Sequence, residues 1–323
     1  MIKAMKSTSN TLIASVAAFA IFAPASIALA EFPEKPITML IGFRPGGAVD
    51  TTGRLVAANL EKILGQPVVA VQKAGGGGAV MASTLINAKP DGYTIGMGAS
   101  AAYTLAPQLN KKIKYRIDDF DHLGTLSIPQ DALVVRKDSP WNSLQDMVND
   151  AKKNNKTLSI ASQVAVVNLL AQAITKKDGV KFKIVPVKGG SRGILQVLGG
   201  HVDLTWSGSG WHKQVAAGTM KPLVTISAKR MPDYPSLPTM LELGYGYTFT
   251  DTFMLSAPKG LPTAVKAKLG DAIKNAITPD LSKRLLSKMK LATDHRGPAA
   301  TTAFLHKQYN DVKPMIAVMR QGK

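Results

Sequence analysis

The chain contains no cysteine, so disulfides cannot stabilise it and a lipid anchor on an N-terminal cysteine is excluded. Acids are scarce: 21 Asp and Glu stand against 40 Lys and Arg, a formal charge of +19 at neutral pH. Five histidines and an aromatic content of 6% leave little for a metal centre or a base-stacking surface. The one early apolar run, Leu12 to Ala23, falls short of the roughly 20 residues a membrane span requires.

That run reads as the core of an export leader. Lys3 and Lys6 supply the positive start, and Ala28-Leu29-Ala30 the small residues of a signal-peptidase site. Cleavage after Ala30 leaves 323 less 30, or 293 residues; the leader takes two lysines and no acid with it, lowering the charge from +19 to +17. The expected product is a soluble periplasmic protein large enough for two domains. Its basic residues come in short groups, such as Lys111, Lys112, Lys114 and Arg116, or Lys283, Arg284, Lys288 and Lys290. No nucleic-acid motif accompanies them, so solvated helix faces and steering of anions are expected, and nucleic acid is not an expected partner.

The most informative stretch is Gly42-Phe43-Arg44-Pro45-Gly46-Gly47-Ala48-Val49-Asp50. An apolar strand, Pro36 to Ile41, precedes it, and Leu55, Val56, Leu60, Ile63 and Leu64 follow at helical spacing. A strand entering a helix through a Gly-Gly turn is the half-unit of an open α/β sheet, whose ligands bind at the carboxyl ends of strands. Gly46 and Gly47 allow close approach to the main chain, and the free amides of the next helix turn suit an anion. Asp50 is expected to be that helix's N-cap. The stretch is therefore expected to bind a carboxylate.

Strands at Pro67–Val71 and Tyr93–Met97, with a helix after Gly75-Gly76-Gly77-Gly78, predict a parallel sheet. Ser100 follows the third strand. Phe120 to Arg136 predicts one long extended crossover into a second α/β half. In that half Ser162 is expected to open a helix, Gly189-Gly190 follows a strand at Phe182–Val187, and Ser207 follows a strand at Val202–Trp206. Phe253–Ala257 is expected to return to the first half, before three C-terminal helices.

Several motifs point elsewhere. The tetraglycine lacks the Lys and Ser or Thr of a phosphate loop and the further Gly of a dinucleotide fingerprint, and reads as a turn with tight packing. Gly189-Gly190-Ser191-Arg192-Gly193 matches the G-x-S-x-G nucleophile elbow, with four histidines downstream, so an exported serine hydrolase using Ser191 is an alternative. Trp206 and Trp211 bracket a polar loop, where they either stack on an aromatic ligand or pack internally. No metal site and no cofactor are expected.

Five ordered segments together resemble one family: Phe32–Thr38, Phe43 to Asp50, Leu64–Val69, Lys89–Thr94 and Leu198–Leu204. They resemble the substrate-binding proteins of tripartite tricarboxylate transporters, the Bug receptors. The resemblance implies a two-lobed periplasmic binding protein, type II-like, closing as a Venus flytrap on a small carboxylate and delivering it to membrane permease subunits. It implies a first lobe of residues 31–131 and 253–323 and a second of 132–252. Carried onto this sequence, the ligand site is Phe43, Arg44, Gly46, Gly47, Asp50 and Ser100 on one side, with Ser162, Gln163, Gly189, Gly190 and Ser207 opposite. Arg44 departs from the family pattern and either takes a second carboxylate or faces solvent. An apolar loop at Gln163–Val167, and Asp251-Thr252-Phe253 where an aromatic is common, shift the expected ligand toward a partly apolar, even aromatic, carboxylate. A monomer is expected, with no enzymatic activity; a ligand sensor for a two-component system is the remaining alternative.

Overall fold

The computed structural model describes residues 31–321 except 163, 164, 188 and 232. The leader and Gln163 therefore lie outside the described residues. In chain order the first half holds β1 (Ile37–Ile41), α1 (Ala48–Leu64), β2 (Val68–Gln72), α2 (Ala79–Leu85), β3 (Thr94–Ala99), α3 (Ala101–Thr104), α4 (Ala106–Leu109) and β4 (Phe120–Pro129). Then come β5 (Ala132–Arg136), α5 (Leu144–Lys153), β6 (Leu158–Ser162), α6 (Ala165–Asp178), β7 (Phe182–Pro186), α7 (Gly190–Leu198), β8 (Leu204–Ser207), α8 (Trp211–Ala216) and β9 (Met220–Val224). The chain closes with β10 (Phe253–Pro258), α9 (Thr263–Ala276), α10 (Pro279–Met289), β11 (Leu291–Thr293) and α11 (Pro298–Gln321).

These strands form two sheets, ordered β11-β4-β10-β3-β1-β2 and β7-β6-β8-β5-β9. The β1 run Ile-Thr-Met-Leu-Ile is apolar almost throughout because helices cover both faces of a central parallel strand. Met39 and Ile41 face a core with Val56, Leu60, Leu269 and Ile273 from α1 and α9, while Leu40 faces Met81 and Leu85 of α2 and Leu305 of α11. The second sheet divides in the same way: Leu133 and Ile160 meet Met147 and Leu170 of α5 and α6, while Val134 and Ala161 meet Ile194 and Val197 of α7 and Trp211 of α8. Each fully buried Leu or Ile contributes about 1.5–3 kcal/mol, so the sheets need no covalent staples.

The first sheet is mixed, not parallel throughout. β1 pairs parallel with β2 and β3, but β10 runs antiparallel to β3 and β4. The extended stretch from Phe120 to Arg136 crosses between the sheets as two strands, β4 in the first and β5 in the second, broken at Gln130 and Asp131. Apolar residues on both sides hide the break in the sequence. Buried Asp131 fixes it by accepting from the Thr225 hydroxyl at 2.9 Å and the Ile226 N–H at 3.2 Å, just beyond β9. β11, only three residues long, extends the sheet edge beside β4. Ser162 ends β6 and does not open a helix; α6 begins at Ala165.

Two main-chain crossovers thus join the sheets, at Gln130–Asp131 and from Thr225 to Thr252. α11 ties them further. Its Leu305 packs in the first core and its Val312 and Ile316 in the second. Between them Gln308 accepts from the Thr104 hydroxyl and donates to the Thr250 carbonyl on the second crossover.

Candidate ligand-binding site

The loop from β1 to α1 is shaped by what its glycines allow. A side chain at Gly42 would come within 3.1 Å of the Gly78 Cα and 3.2 Å of the Met81 Cβ. Gly46 sits at φ +77°, a left-handed conformation that costs a side-chain-bearing residue energy. Gly47 N–H closes a turn on the Arg44 carbonyl at 3.3 Å, and Gly47 itself is the N-cap of α1.

Asp50 is therefore not the N-cap; it is the third helical residue, and buried. Its carboxylate reaches back to the Gly46 N–H at 2.9 Å, takes the Arg54 Nε at 3.0 Å and accepts the Gln72 side-chain amide. The loop is held from inside the helix, and Gly46 N–H is already occupied. The first intrahelical bond runs from Thr51 N–H to the Gly47 carbonyl, so the amides of Ala48, Val49 and Asp50 precede the helical ladder. They carry the positive end of a 17-residue helix. Arg44 is exposed on the loop, and Phe43 is half-buried.

The tetraglycine belongs to the same surface. Gly75, Gly76, Gly77 and Gly78 all have positive φ. This path brings Gly78 so close that an added Cβ would lie 3.1 Å from the Ala102 Cβ and 3.4 Å from the Phe43 ring. Read as tight packing, the motif is sound; its partner is the ring of the neighbouring loop, which sequence periodicity does not reveal.

Ser100 lies at the end of β3, beside β1, and is fully buried. Its hydroxyl donates to Asp251 Oδ1 at 3.1 Å and accepts the Thr252 N–H at 3.2 Å. Asp251 Oδ1 also accepts the Ala101 N–H at 3.2 Å. Ala101 packs on the second core, so the two halves meet at this corner. Burial pushes the Asp251 pKa up to about 6 against the pull of those donors. Asp131, on the other crossover, is pushed up to about 7 by burial, and the Asp251 charge adds to the rise.

The remaining candidates line the carboxyl edge of the second sheet. Ser162 ends β6, its hydroxyl 3.1 Å from the Asn168 Oδ1, and its carbonyl accepts the Val187 N–H after β7. Gly189, at φ +97°, is the N-cap of α7, and Gly190 is that helix's first residue. Ser207 ends β8, buried and opposite Ala132. β7, β6 and β8 are adjacent, so these three corners are neighbours, as the corners after β1 and β3 are in the first sheet.

Other candidates are drawn away. Ser191 is exposed in the first turn of α7. His122 bonds Ser256 and the Ile117 carbonyl, His212 the Gln130 carbonyl, His295 the Thr125 carbonyl and His306 Asp118, while the His201 ring lies against Gly199. Trp206 and Trp211 are both buried; Trp211 donates to the Gln130 carbonyl at 2.9 Å and stacks on His212. Among the described residues no group of three or more His, Asp or Glu could hold a metal ion.

Comparison with known proteins gives a consistent result. A family model described as the tripartite tricarboxylate transporter family receptor matches residues 52–320. A Cupriavidus necator protein, named for its position in the gbd 5′ region, is 35% identical over 270 residues, covering 83% of this chain and 82% of its own. The solved periplasmic binding protein BugD superposes with a TM-score of 0.77 at 27% identity, over 90% of this chain and 98% of that one. MatC from Rhodopseudomonas palustris, solved with bound malate, gives 0.78 at 25% identity, over 88% of this chain and all of that one, 100%.

Proposed function

The chain belongs to the tripartite tricarboxylate transporter receptor family, and from that premise we propose that it is a periplasmic receptor closing around a small carboxylate. Residues 1–30 are its leader, cut after Ala30. Residues 31–131 and 253–323 form one lobe and 132–252 the other. The ligand carboxylate is taken by the loop of Phe43, Arg44, Gly46, Gly47 and Asp50, with Ser100 beside it. Ser162, Gln163, Gly189, Gly190 and Ser207 close from the second lobe. The loaded form, a monomer, hands its ligand to membrane permease subunits and carries out no reaction.

The observation that carries this reading is the start of α1. Three amides free of the helical ladder sit behind a Gly-Gly turn, and a buried carboxylate locks that turn in place. Such a corner stabilises an anion by dipoles and N–H groups, with no fixed counter-charge required. The malate held by MatC supports a carboxylate as ligand. Open and closed lobes are in equilibrium, and a ligand touching both favours the closed state by the difference in its affinity for the two. Asp50 serves as a brace for the loop, and Ser100, whose hydroxyl is spent on Asp251 and Thr252, as a shaped wall.

The test is a thermal-shift and calorimetric screen of the mature chain against mono-, di- and tricarboxylates. A ligand at 100 times its Kd adds about 2.7 kcal/mol of stability, an easily measured rise in melting temperature. If no carboxylate raises the melting temperature or releases heat, the reading falls.

A further inference from the structure

We propose that the groove between α6 and β7 takes an extended, acidic segment of a partner protein, which joins the second sheet as a further strand. β7 is the last strand of its sheet and, among the described residues, pairs with β6 alone. The Leu158 N–H donates to the Lys181 carbonyl at one end of this pairing and the Val187 N–H to the Ser162 carbonyl at the other, each at 2.9 Å. Bonding residues alternate along a parallel pair, so Lys183 and Val185 also turn to β6, while Phe182 and Ile184 turn their N–H and C=O groups outward. Pro186 has no N–H to offer and ends the open stretch. The side chains of the two outward residues lie on one face of the strand. There they form one wall of a groove of about 460 Å³, with Asn168, Ala171 and Gln172 of α6 opposite.

The chemistry of the groove selects its occupant. Ile184 is 36% exposed and Phe182 half-buried, so apolar surface is left open beside free main-chain groups. Gln172 Oε1 is buried without a hydrogen-bond partner among the described residues, an acceptor that a peptide N–H satisfies. Lys181 lines the groove where β7 starts, and Lys176 and Lys183 are exposed close by in the chain. None of the three forms an ion pair among the described residues, and the one acid between them, Asp178, accepts the Tyr245 hydroxyl at 2.7 Å. A second copy joined edge to edge would bring Lys181 and Lys183 against their own counterparts, the device by which lysines guard open edges. The chain's own first 30 residues fit no better, having two lysines and no acid. An acidic strand turns the same lysines into attraction, and its alternate side chains enter the groove beside Phe182 and Ile184.

Panning a random heptapeptide library on the mature chain tests this without reference to the cleft ligand. Enriched peptides should carry apolar residues at alternate positions and at least one Asp or Glu. Panning on Lys181→Glu should replace that acid with Lys or Arg. A peptide enriched on the wild type should slow hydrogen exchange at the Phe182 and Ile184 amides at least about tenfold, because both become bonded. Ile184→Pro removes one outward N–H and leaves the β6 ladder alone, so it should weaken that peptide at least about threefold, while Ile184→Val should bind as the wild type does. The proposal is overturned if no peptide is enriched, if the enriched peptides lack acids, if Lys181→Glu selects the same sequences, or if the two amides exchange at an unchanged rate. Exchange that slows with protein concentration alone assigns the edge to a second copy and also overturns it. If Ile184→Pro does not fold, the Lys181→Glu panning and the wild-type exchange decide.

Discussion

Replacing Asp50 with serine separates two accounts of the loop. If Asp50 were an N-cap, serine would serve almost equally well, because serine and aspartate rank together at that position. The structure instead gives it three donors from the third helical position: Gly46 N–H, the Arg54 Nε and the Gln72 amide. A serine hydroxyl is too short to reach back to Gly46. The Arg54 side chain is 49% exposed, so its pair with Asp50 is screened and worth about 0–1 kcal/mol. The Gly46 and Gln72 bonds to a buried charge are worth about 1.5–3 kcal/mol each before water compensates. A net loss of about 3–5 kcal/mol corresponds to a fall in melting temperature of roughly 5–8 °C for a chain of this size. Scanning calorimetry of Asp50→Ser should show that fall, with weaker binding because the turn before α1 is released. A change under about 2 °C would refute the brace and restore the cap. Asp50→Asn, with the shape but not the charge, should fall between.

Gly47→Val should leave the fold largely intact, since Gly47 has an ordinary extended conformation and an added Cβ meets only the Arg44 carbonyl, at 3.3 Å; calorimetry with a carboxylate that binds the wild type should show binding abolished. Gly78→Val should cost both, because φ is +98° and the new side chain strikes Ala102 and Phe43; a fall of about 1–3 kcal/mol by denaturant titration is expected. Asp131→Asn tests the uncompensated acid at the first crossover. In the folded chain its pKa is raised from 3.8 to about 7, so the folded state holds the proton more firmly, and the penalty of ionising it grows as pH rises from about 4 to above 7. His122 and His212, lowered from 6.5 to about 4, oppose this in the wild type by losing stability as pH falls below 6.5. The variant-minus-wild-type difference removes their contribution: the melting temperature of Asp131→Asn should improve on the wild type by several degrees more at pH 8 than at pH 5, and parallel curves would refute the assignment.

The parts legible in the sequence were those set by local spacing. Apolar runs of strand length, helical repeats such as Val56, Leu60 and Leu64, and glycines at strand ends placed the elements and both rows of corners to within a few residues. What escaped was fixed by contacts between distant segments. No local signal divides β4 from β5, because the residues on either side of Gln130 and Asp131 are buried in different cores. The break is set by Thr225 and Ile226, more than ninety residues on. Asp50 sits three positions past the N-cap that the sequence predicts for it, because an acid near a helix start suits both places and only the Gly46 and Gln72 contacts distinguish them. Asp251 was visible as a departure from the family pattern, yet its consequence depends on Ser100, 151 residues away.

The two acids give the crossovers a shared logic. Asp131 ties the first crossover to the end of β9, and Asp251 ties the second to the end of β3; each charge is held by neutral donors at a point where the lobes join. Well-packed apolar residues would make a more stable joint, since a buried carboxylate without a cation costs free energy that hydrogen bonds only partly return. That cost grows with pH, because both carboxyls hold their protons more firmly in the folded chain than in the unfolded one. Asp251→Asn, like Asp131→Asn, should therefore raise the melting temperature over the wild type more at pH 8 than at pH 5. A difference independent of pH refutes the cost and confines the two carboxylates to holding the crossovers through their hydrogen bonds.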